Sequence, residues 1–153
     1  MSMITPRGSF FSVLLLLCAA LPSAGAAEQP WVVFPGDRAA PGAGKRIVFL
    51  TGDEEYRGEE GLPMLAKILS QRHGFRCTVL FALDPDGTIN PENQRSLSGS
   101  EALDTADAIV LSLRFRNWPE ADMARFVAAF NRGVPVIALR TSTHAFNIPA
   151  GAP

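Results

Sequence analysis

Short apolar runs alternate along this chain with segments whose apolar residues recur at helical spacing. Four runs are rich in β-branched or other apolar residues, as is typical of strands buried on both faces of a parallel sheet: 46–51, 76–81, 107–113 and 135–139. Two helical stripes follow the first and third runs: Leu62, Leu65, Ile68 and Leu69, then Met123, Phe126, Val127 and Phe130. The alternation predicts an α/β domain with right-handed crossovers. We expect a flavodoxin-like three-layer sandwich whose parallel strands lie in the order 2-1-3-4.

Several residues mark the expected ends of these helices. Gly74 suits the left-handed position after a helix, and Gly133 is expected to end the last one. Ser98 and Glu101 have the spacing of a capping box, which predicts a short helix beginning at Ser98. Pro119 suits a first helical turn.

The first 26 residues have the pattern of a secretory signal. A start containing Arg7 and no acidic residue precedes the apolar run 10–21, and small residues follow at 24–27. We expect cleavage after Ala26 or one residue later, so that the protein is periplasmic or extracellular. The alternatives are an uncleaved anchor and a lipid on Cys18. The run is short for a membrane span, and Leu17 is an unfavourable neighbour for a lipidated cysteine.

The rest of the chain divides into an arm, a domain and a tail. Residues 27–44 are rich in Pro and Gly and predict an arm or linker, with an apolar run at 31–34 able to dock on the domain. Residues 45–148 form the predicted α/β domain, and 149–153 are a short tail with nothing to cover the fourth strand. Either that strand is an exposed edge or the chain is part of a longer protein. We expect the second, a C-terminally truncated domain.

Composition removes several function classes. Hydrophobic residues make up 47%, so the chain has enough apolar surface for a core. Fourteen basic and fifteen acidic residues give a net charge of −1, which does not favour nucleic acid as a partner. Without the signal only Cys77 remains, and we expect a buried, inert thiol. One Cys and two distant His residues make no zinc cluster, so no metal or other cofactor is predicted.

The carboxyl ends of parallel strands are where ligands bind in such sheets. The first loop there holds a dense run of polar residues: Asp53, Glu54, Glu55, Tyr56 and Arg57. Its carboxylates suit metal coordination, acid/base chemistry or hydrogen bonds to sugar hydroxyls. The alternative is a solvated, acidic helix start. Flanking Gly52 and Gly58 favour a functional loop, because they permit an unusual backbone path.

Two later loops add cations and hydroxyls. Arg114 and Arg116, with aromatic neighbours, suit either anion binding or a structural role. The loop after the fourth run contains Arg140, Thr141, Ser142 and His144. Ser142 and His144 lack a G-x-S-x-G elbow, which argues against a serine hydrolase. His144 alone is the better acid/base candidate. The segment 84–87 has the composition of a simple turn.

These segments together resemble the trehalose-utilisation (ThuA-like) family, over about residues 45–147. The resemblance lies in RIVFLTGDEEYRGEEGLPMLAKIL, DAIVLSLRFRNWP and PVIALRTSTHAFN. It is nearest to a secreted, planctomycete-type branch. The resemblance implies a class I glutamine amidotransferase-like fold and a role in carbohydrate metabolism.

The chain departs from that fold family at its nucleophile. The residue after the fourth strand is a catalytic Cys in amidotransferases and a His in many ThuA-like proteins, whereas here it is Arg140. A guanidinium cannot replace a thiolate nucleophile, which excludes glutamine hydrolysis. Arg140 suits instead a clamp for an anion, or a partner that holds Glu54 or Glu55.

The sequence therefore predicts an exported ThuA-like domain that binds a small sugar-like ligand. If the domain is an enzyme, it transforms that ligand. Glu54 and Glu55 are the acid/base candidates, with His144 as proton shuttle. The other predicted ligand contacts are Asp53, Tyr56, Arg57, Arg114, Arg116, Arg140, Thr141 and Ser142. One alternative is a non-catalytic binding or interaction module of a larger exported protein. Another is a metal-dependent hydrolase that uses Asp53, Glu54 and His144. The sequence sets no oligomeric state.

Overall fold

A computed structural model describes residues 29–150. The predicted signal at 1–26, with Cys18, lies outside the described residues, as do the last three residues of the tail. The strands are β1 (Trp31–Phe34), β2 (Arg46–Gly52), β3 (Arg76–Leu80), β4 (Ala108–Leu113) and β5 (Val136–Ala138). The helices are α1 (Gly58–His73) and α2 (Glu120–Asn131), with 3₁₀ helices at Ser100–Thr105 and Arg140–His144.

The strands form one mixed sheet in the order β1-β3-β2-β4-β5. The α/β class is therefore confirmed, and the four predicted strands are parallel to one another in the predicted order, as β3-β2-β4-β5. The sheet as a whole differs from the prediction, because a fifth strand makes it five-stranded and mixed. The difference is β1, which lies in the predicted arm and pairs antiparallel with β3, so that Trp31 faces Leu80. An apolar run beside an open strand edge gains both hydrogen bonds and burial by pairing there.

The core lies on both faces of the sheet around β2. On one face α1 places Leu62 and Ala66 against Phe49 and Val79. On the other face a second cluster joins the sheet to α2 and the first 3₁₀ helix: Leu50, Leu80, Leu103, Ile109, Leu113 and Ala129. Every residue of β2 after Arg46 is buried. Packing on both faces explains why the sequence of β2 is apolar without interruption, and it holds the carboxyl end of β2 in place at the edge of the sheet.

Some predicted boundaries hold and others do not. Gly74 caps α1 in the left-handed conformation, with φ of 81°, as predicted. The capping box at Ser98 is wrong, since the 3₁₀ helix begins at Ser100. The Ser98 hydroxyl instead donates to the Pro30 carbonyl at 2.9 Å and accepts the Phe81 N–H at 3.1 Å, which ties the segment before β1 to the end of β3.

Helix α2 is less buried than its stripe predicts. Met123 and Phe126 pack against the core, but Val127 and Phe130 are exposed. Within residues 29–150 no helix is long and apolar enough to cross a membrane. Cys77 is buried as predicted, and burial raises its pKa to about 11, which keeps the thiol protonated and unreactive at neutral pH.

Replacing Trp31 by Ala should destabilise the protein by roughly 2–3 kcal/mol, because the partly buried indole packs on the core and on Gly99. The matched control is Val32→Ala at an exposed position of the same strand, with an expected cost below about 1 kcal/mol. Urea unfolding of both variants measures the difference. Equal losses would mean that β1 is an undocked arm.

Candidate functional site

The loops that follow β2, β4 and β5 contact one another at the carboxyl edge of the sheet, which we call the rim. Arg114 Nη1, after β4, donates to Glu54 Oε1, after β2, at 2.7 Å. The Thr141 hydroxyl, after β5, donates to Asp53. The guanidinium carbon of Arg140 lies 4.6 Å from the centroid of the Tyr56 ring. The predicted site residues of the three loops therefore share one surface.

Arg116 is the buried centre of the rim, with 0% of its side chain exposed. Its Nε donates to the Arg114 carbonyl at 2.7 Å, and its Nη1 to the carbonyls of Pro91 at 2.7 Å and Asn93 at 3.4 Å. Its Nη2 lies 3.3 Å from Glu54 Oε2. Arg116, predicted to contact ligand, instead holds three loops together, because every direction of its guanidinium faces protein.

Burial and nearby carboxylates act on Arg116 in opposite directions. Burial lowers the pKa of Arg116, whereas the charges of Glu54, Glu59 and Asp53 raise it. A guanidinium keeps its proton through such changes, so Arg116 is a permanent positive charge inside the rim. The carboxylates of Asp53, Glu54 and Glu59 compensate the charge of Arg116. The acidic residues in and beside the first loop therefore have a structural role.

The two neighbouring glutamates of the first loop differ in access. Both oxygens of Glu54 accept hydrogen bonds, one from Arg114 and one from Arg116. Glu55 lies 3.6 Å from Arg114 and keeps 49% of its side chain exposed. The expected pairing of Arg140 with Glu54 or Glu55 is wrong, because the cations that hold these carboxylates come from the loop after β4. Glu55 is the more accessible acid/base candidate.

Three further predicted contacts are engaged inside the protein. Asp53 is fully buried, and its Oδ1 accepts the Glu55 N–H at 3.1 Å while its other oxygen accepts the Thr141 hydroxyl. The buried Ser142 hydroxyl accepts the Leu113 N–H at 3.0 Å and donates to the Leu111 carbonyl at 3.2 Å. These side chains fix the loop after β5 against β4 and the first loop.

The backbone of the rim is strained at three places. Arg57, Phe115 and Arg140 have φ of 51°, 53° and 53°, and no other residue except glycine has positive φ within residues 29–150. Each such conformation costs on the order of 1 kcal/mol or more in a residue with a Cβ. Strain of this kind concentrates where a fold positions side chains for function. All three residues lie in loops of the rim.

The outer rim is formed by exposed polar and aromatic side chains: Glu55, Tyr56, Arg140, Thr143 and His144. His144 Nδ1 lies 2.9 Å from the Thr143 hydroxyl, and its ring meets Phe115 edge to face at 6.1 Å. Within residues 29–150, the Arg140 guanidinium makes no salt bridge. Arg57, also exposed, pairs with Glu60 at the start of α1. The outer rim thus offers a cation, a carboxylate and an imidazole to solvent.

Glu59, in the first turn of α1, is a further candidate that was not among the residues predicted from sequence. It lines a cleft of about 220 Å³ together with Asp53, Glu54, Arg57 and Glu60. Burial raises its pKa, and a backbone hydrogen bond and the charge of Arg116 oppose that shift. In the described residues, neither the buried Glu59 Oε1 nor the Thr51 hydroxyl completes a hydrogen bond.

Gly58 is the feature of the sequence that could have indicated where Glu59 lies. A Cβ on Gly58 would lie 3.0 Å from the Ser112 hydroxyl, so the start of α1 approaches β4 closely and carries Glu59 inward.

The geometry gives no support to a metal centre. Within the described part of the chain, no group of three or more His, Cys, Asp or Glu residues is arranged to hold a metal ion. Asp53 and Glu54, two of the three predicted ligands in the hydrolase alternative, already have hydrogen-bond donors from Thr141 and the two arginines.

Comparison with known proteins finds no family model, no curated protein and no solved structure that matches this chain. A statement about function therefore cannot rest on a matching protein and has to be argued from the chemistry of the rim.

Replacing Arg116 by Ala should cost about 3–5 kcal/mol of stability, because Glu54 and three carbonyls lose a buried partner. Arg114→Ala is the control, since Arg114 is 31% exposed and pairs with the same carboxylate; its expected cost is about 1 kcal/mol or less. The test is the free energy of unfolding in urea. Similar costs for the two variants would show that Arg116 does not hold the rim.

Replacing Glu59 by Gln should raise stability at neutral pH relative to the wild type. Since burial raises the pKa of Glu59, the protonated form is favoured in the folded state. Its stabilising contribution is present below the unfolded pKa, near 4.5, and is lost as the pH rises through the folded pKa. The advantage of Glu59→Gln should therefore grow from pH 4 to pH 7.

Glu92→Gln, at an exposed position, is the control for this pH series and should change little. Unfolding measured across the range gives the result. A difference between Glu59→Gln and the wild type that does not vary with pH would contradict the raised pKa.

Proposed function

We propose that this protein is an exported ThuA-like domain that binds a carbohydrate-derived ligand at the outer rim. In this proposal the sheet and helices are a flavodoxin-like, class I glutamine amidotransferase-like sandwich. The resemblance of the sequence segments supports the family, and the mixed α/β sheet is compatible with the fold. Arg140 after β5 supports a role other than glutamine hydrolysis, because no thiol is present at that position.

The observation that carries the binding proposal is the conformation of Arg140. This residue has a left-handed backbone at the carboxyl end of β5, and its guanidinium stacks on Tyr56 instead of pairing with the nearby carboxylates. Stacking holds the planar group while leaving its N–H donors available to a ligand. Hydroxyl, carboxylate or other oxyanion groups of an oxidised sugar are suitable acceptors for such a fork.

The remaining outer-rim groups suit the hydroxyls of the same ligand. The Glu55 carboxylate accepts hydrogen bonds, and the Thr143 hydroxyl both donates and accepts. The imidazole of His144, with Nδ1 beside Thr143, offers ring nitrogens that can donate or accept hydrogen bonds. In an enzymatic version of the proposal, Glu55 and His144 are the acid and base. Glu54 then positions the loop, since both its oxygens are held by arginines.

The engagement of Glu54 favours the rival, non-catalytic function. If the inner carboxylates only compensate Arg116, the rim binds a ligand or a partner protein without transforming it. The two versions differ in product formation alone. Mass spectrometry of ligand incubated with the protein separates them: an altered ligand that disappears in Glu55→Gln and His144→Ala supports the enzyme, and an unaltered ligand supports the binding module.

Binding is tested by calorimetry with two probes, trehalose and the sugar acid lactobionate. Arg140→Met should weaken lactobionate binding about tenfold or more, as expected for loss of a charge-assisted hydrogen bond of roughly 1.5–3 kcal/mol. Arg72→Met, in the last turn of α1 at the other end of the domain, is the control and should leave the affinity unchanged. Absence of binding for both probes, or equal affinity in Arg140→Met, would reject the proposal.

A further inference from the structure

A second concave surface begins at the end of the sheet opposite to the rim, where β2 and β3 start. It has a volume of about 460 Å³ and runs along the face of β1, β3 and β2 that α1 does not cover. We call it the amino-end groove, because Arg46 and Arg76 open β2 and β3 there. Further residues that line it are Trp31, Val33, Val48, Thr78, Gly99 and Glu101.

The groove exists because the helices cover this face unequally. Trp31, Val33, Thr78 and Val48 alternate with the residues under α1, so they face the other layer. Among residues 29–150, the short 3₁₀ helix Ser100–Thr105 meets the sheet on that side, and α2 packs nearer to β4. Strands of a parallel sheet are normally covered on both faces. The uncovered stretch leaves polar and apolar side chains together in an open cleft.

Two arginines stand side by side in the groove. Arg46 and Arg76 are register partners on adjacent parallel strands, which lie about 4.8 Å apart in a sheet. Both side chains are exposed, and within residues 29–150 neither forms a salt bridge or a side-chain hydrogen bond. Like charges at paired positions destabilise a sheet. An anion between the two guanidiniums would remove that repulsion and engage both forks.

The charge around this pair favours an anion further. A smaller cleft of about 210 Å³ adjoins the groove, shares Arg46 and Arg76, and is also lined by Arg38 and Asp37. Asp37 Oδ1 accepts the Ala39 N–H, so this carboxylate is engaged with backbone. Among the residues that line the groove itself, Glu101 is the one carboxylate. The two guanidiniums therefore leave the groove with a net positive charge.

Trp31 gives the groove an apolar wall of fixed position. A Cβ on Gly99 would come within 2.6 Å of the indole, so the ring lies directly on the glycine backbone. Its strand is held by β3, and its partly buried side chain packs on the core. Trp31 is the register partner of Leu80, so it lies four residues along β3 from Arg76, with Thr78 between the two levels. A rigid aromatic ring in the same groove as two guanidiniums is suited to a ligand with a planar or apolar ring and one anionic group.

We propose that the amino-end groove is a second ligand site, which binds a small molecule with a phosphate or sulfate monoester attached to a ring. Arg46 and Arg76 hold the anionic group, and Trp31 contacts the ring. The arginines of this site lie at the opposite end of β2 and β3 from the rim, and the groove shares no lining residue with the cleft at Glu59.

The test is calorimetric titration of the purified protein with phenyl phosphate and, in a separate arm, phenyl sulfate. At least one should bind with a dissociation constant that Arg46→Met and Arg76→Met each raise about tenfold or more. Arg95→Met, an exposed arginine in the loop after β3, should stay within about twofold of the wild type. Trp31→Phe retains a ring and should reduce affinity less than either arginine variant.

Both arginine variants should fold, since the substitution keeps the apolar stem and relieves a like-charge pair; their thermal midpoints should equal or exceed the wild-type value. Failure of both probes to bind at millimolar concentration would overturn the proposal. So would affinities that Arg46→Met and Arg76→Met leave unchanged. Inorganic phosphate binding as tightly as phenyl phosphate would overturn the role given to Trp31.

Discussion

The buried guanidinium of Arg116 is the constraint around which the carboxyl edge of this domain is organised. A fully buried charge is tolerated only when its donors are satisfied and a counter-charge is close. Arg116 meets both conditions with the carbonyls of Arg114, Pro91 and Asn93 and with the carboxylate of Glu54. Those acceptors belong to loops that follow β2, β3 and β4. One side chain therefore sets how these loops lie relative to one another.

This requirement separates an inner from an outer layer of polar residues. The inner layer of Asp53, Glu54 and Ser142 has its hydrogen-bonding capacity engaged by neighbouring protein groups. The outer layer, which includes Arg140 and His144, is exposed and rests on the inner one. The left-handed backbones at Arg57, Phe115 and Arg140 are sustained by that rigid support. Function is therefore proposed for the outer layer, and the inner layer supplies its geometry.

The pattern of apolar residues was sufficient to predict the class of fold, because buried strands and helix faces require apolar side chains at regular spacing. The cap at Gly74 was predictable because a left-handed backbone favours glycine. The pairing of Trp31–Phe34 with β3 was missed, since a short apolar run does not reveal which strand edge is open to it. Ser98 carries a capping pattern but bonds to Pro30 across the chain, and long-range contacts have no local signal. The candidate site residues lie on loops that meet at one edge of the sheet, as the direction of the parallel strands predicts. Their burial was not predicted, because sequence does not distinguish the buried Arg116 from the exposed Arg140.

A double-mutant cycle between Arg116 and Glu54 tests the organising role of the buried arginine most directly. The free energy of unfolding would be measured for Arg116→Met, Glu54→Gln, the double variant and the wild type. If the pair holds the rim as described, the effects are coupled by roughly 1–3 kcal/mol, and the double variant is more stable than the sum of the single losses implies. Losses that add to within about 0.3–0.5 kcal/mol would show that the two side chains act independently and would contradict this account.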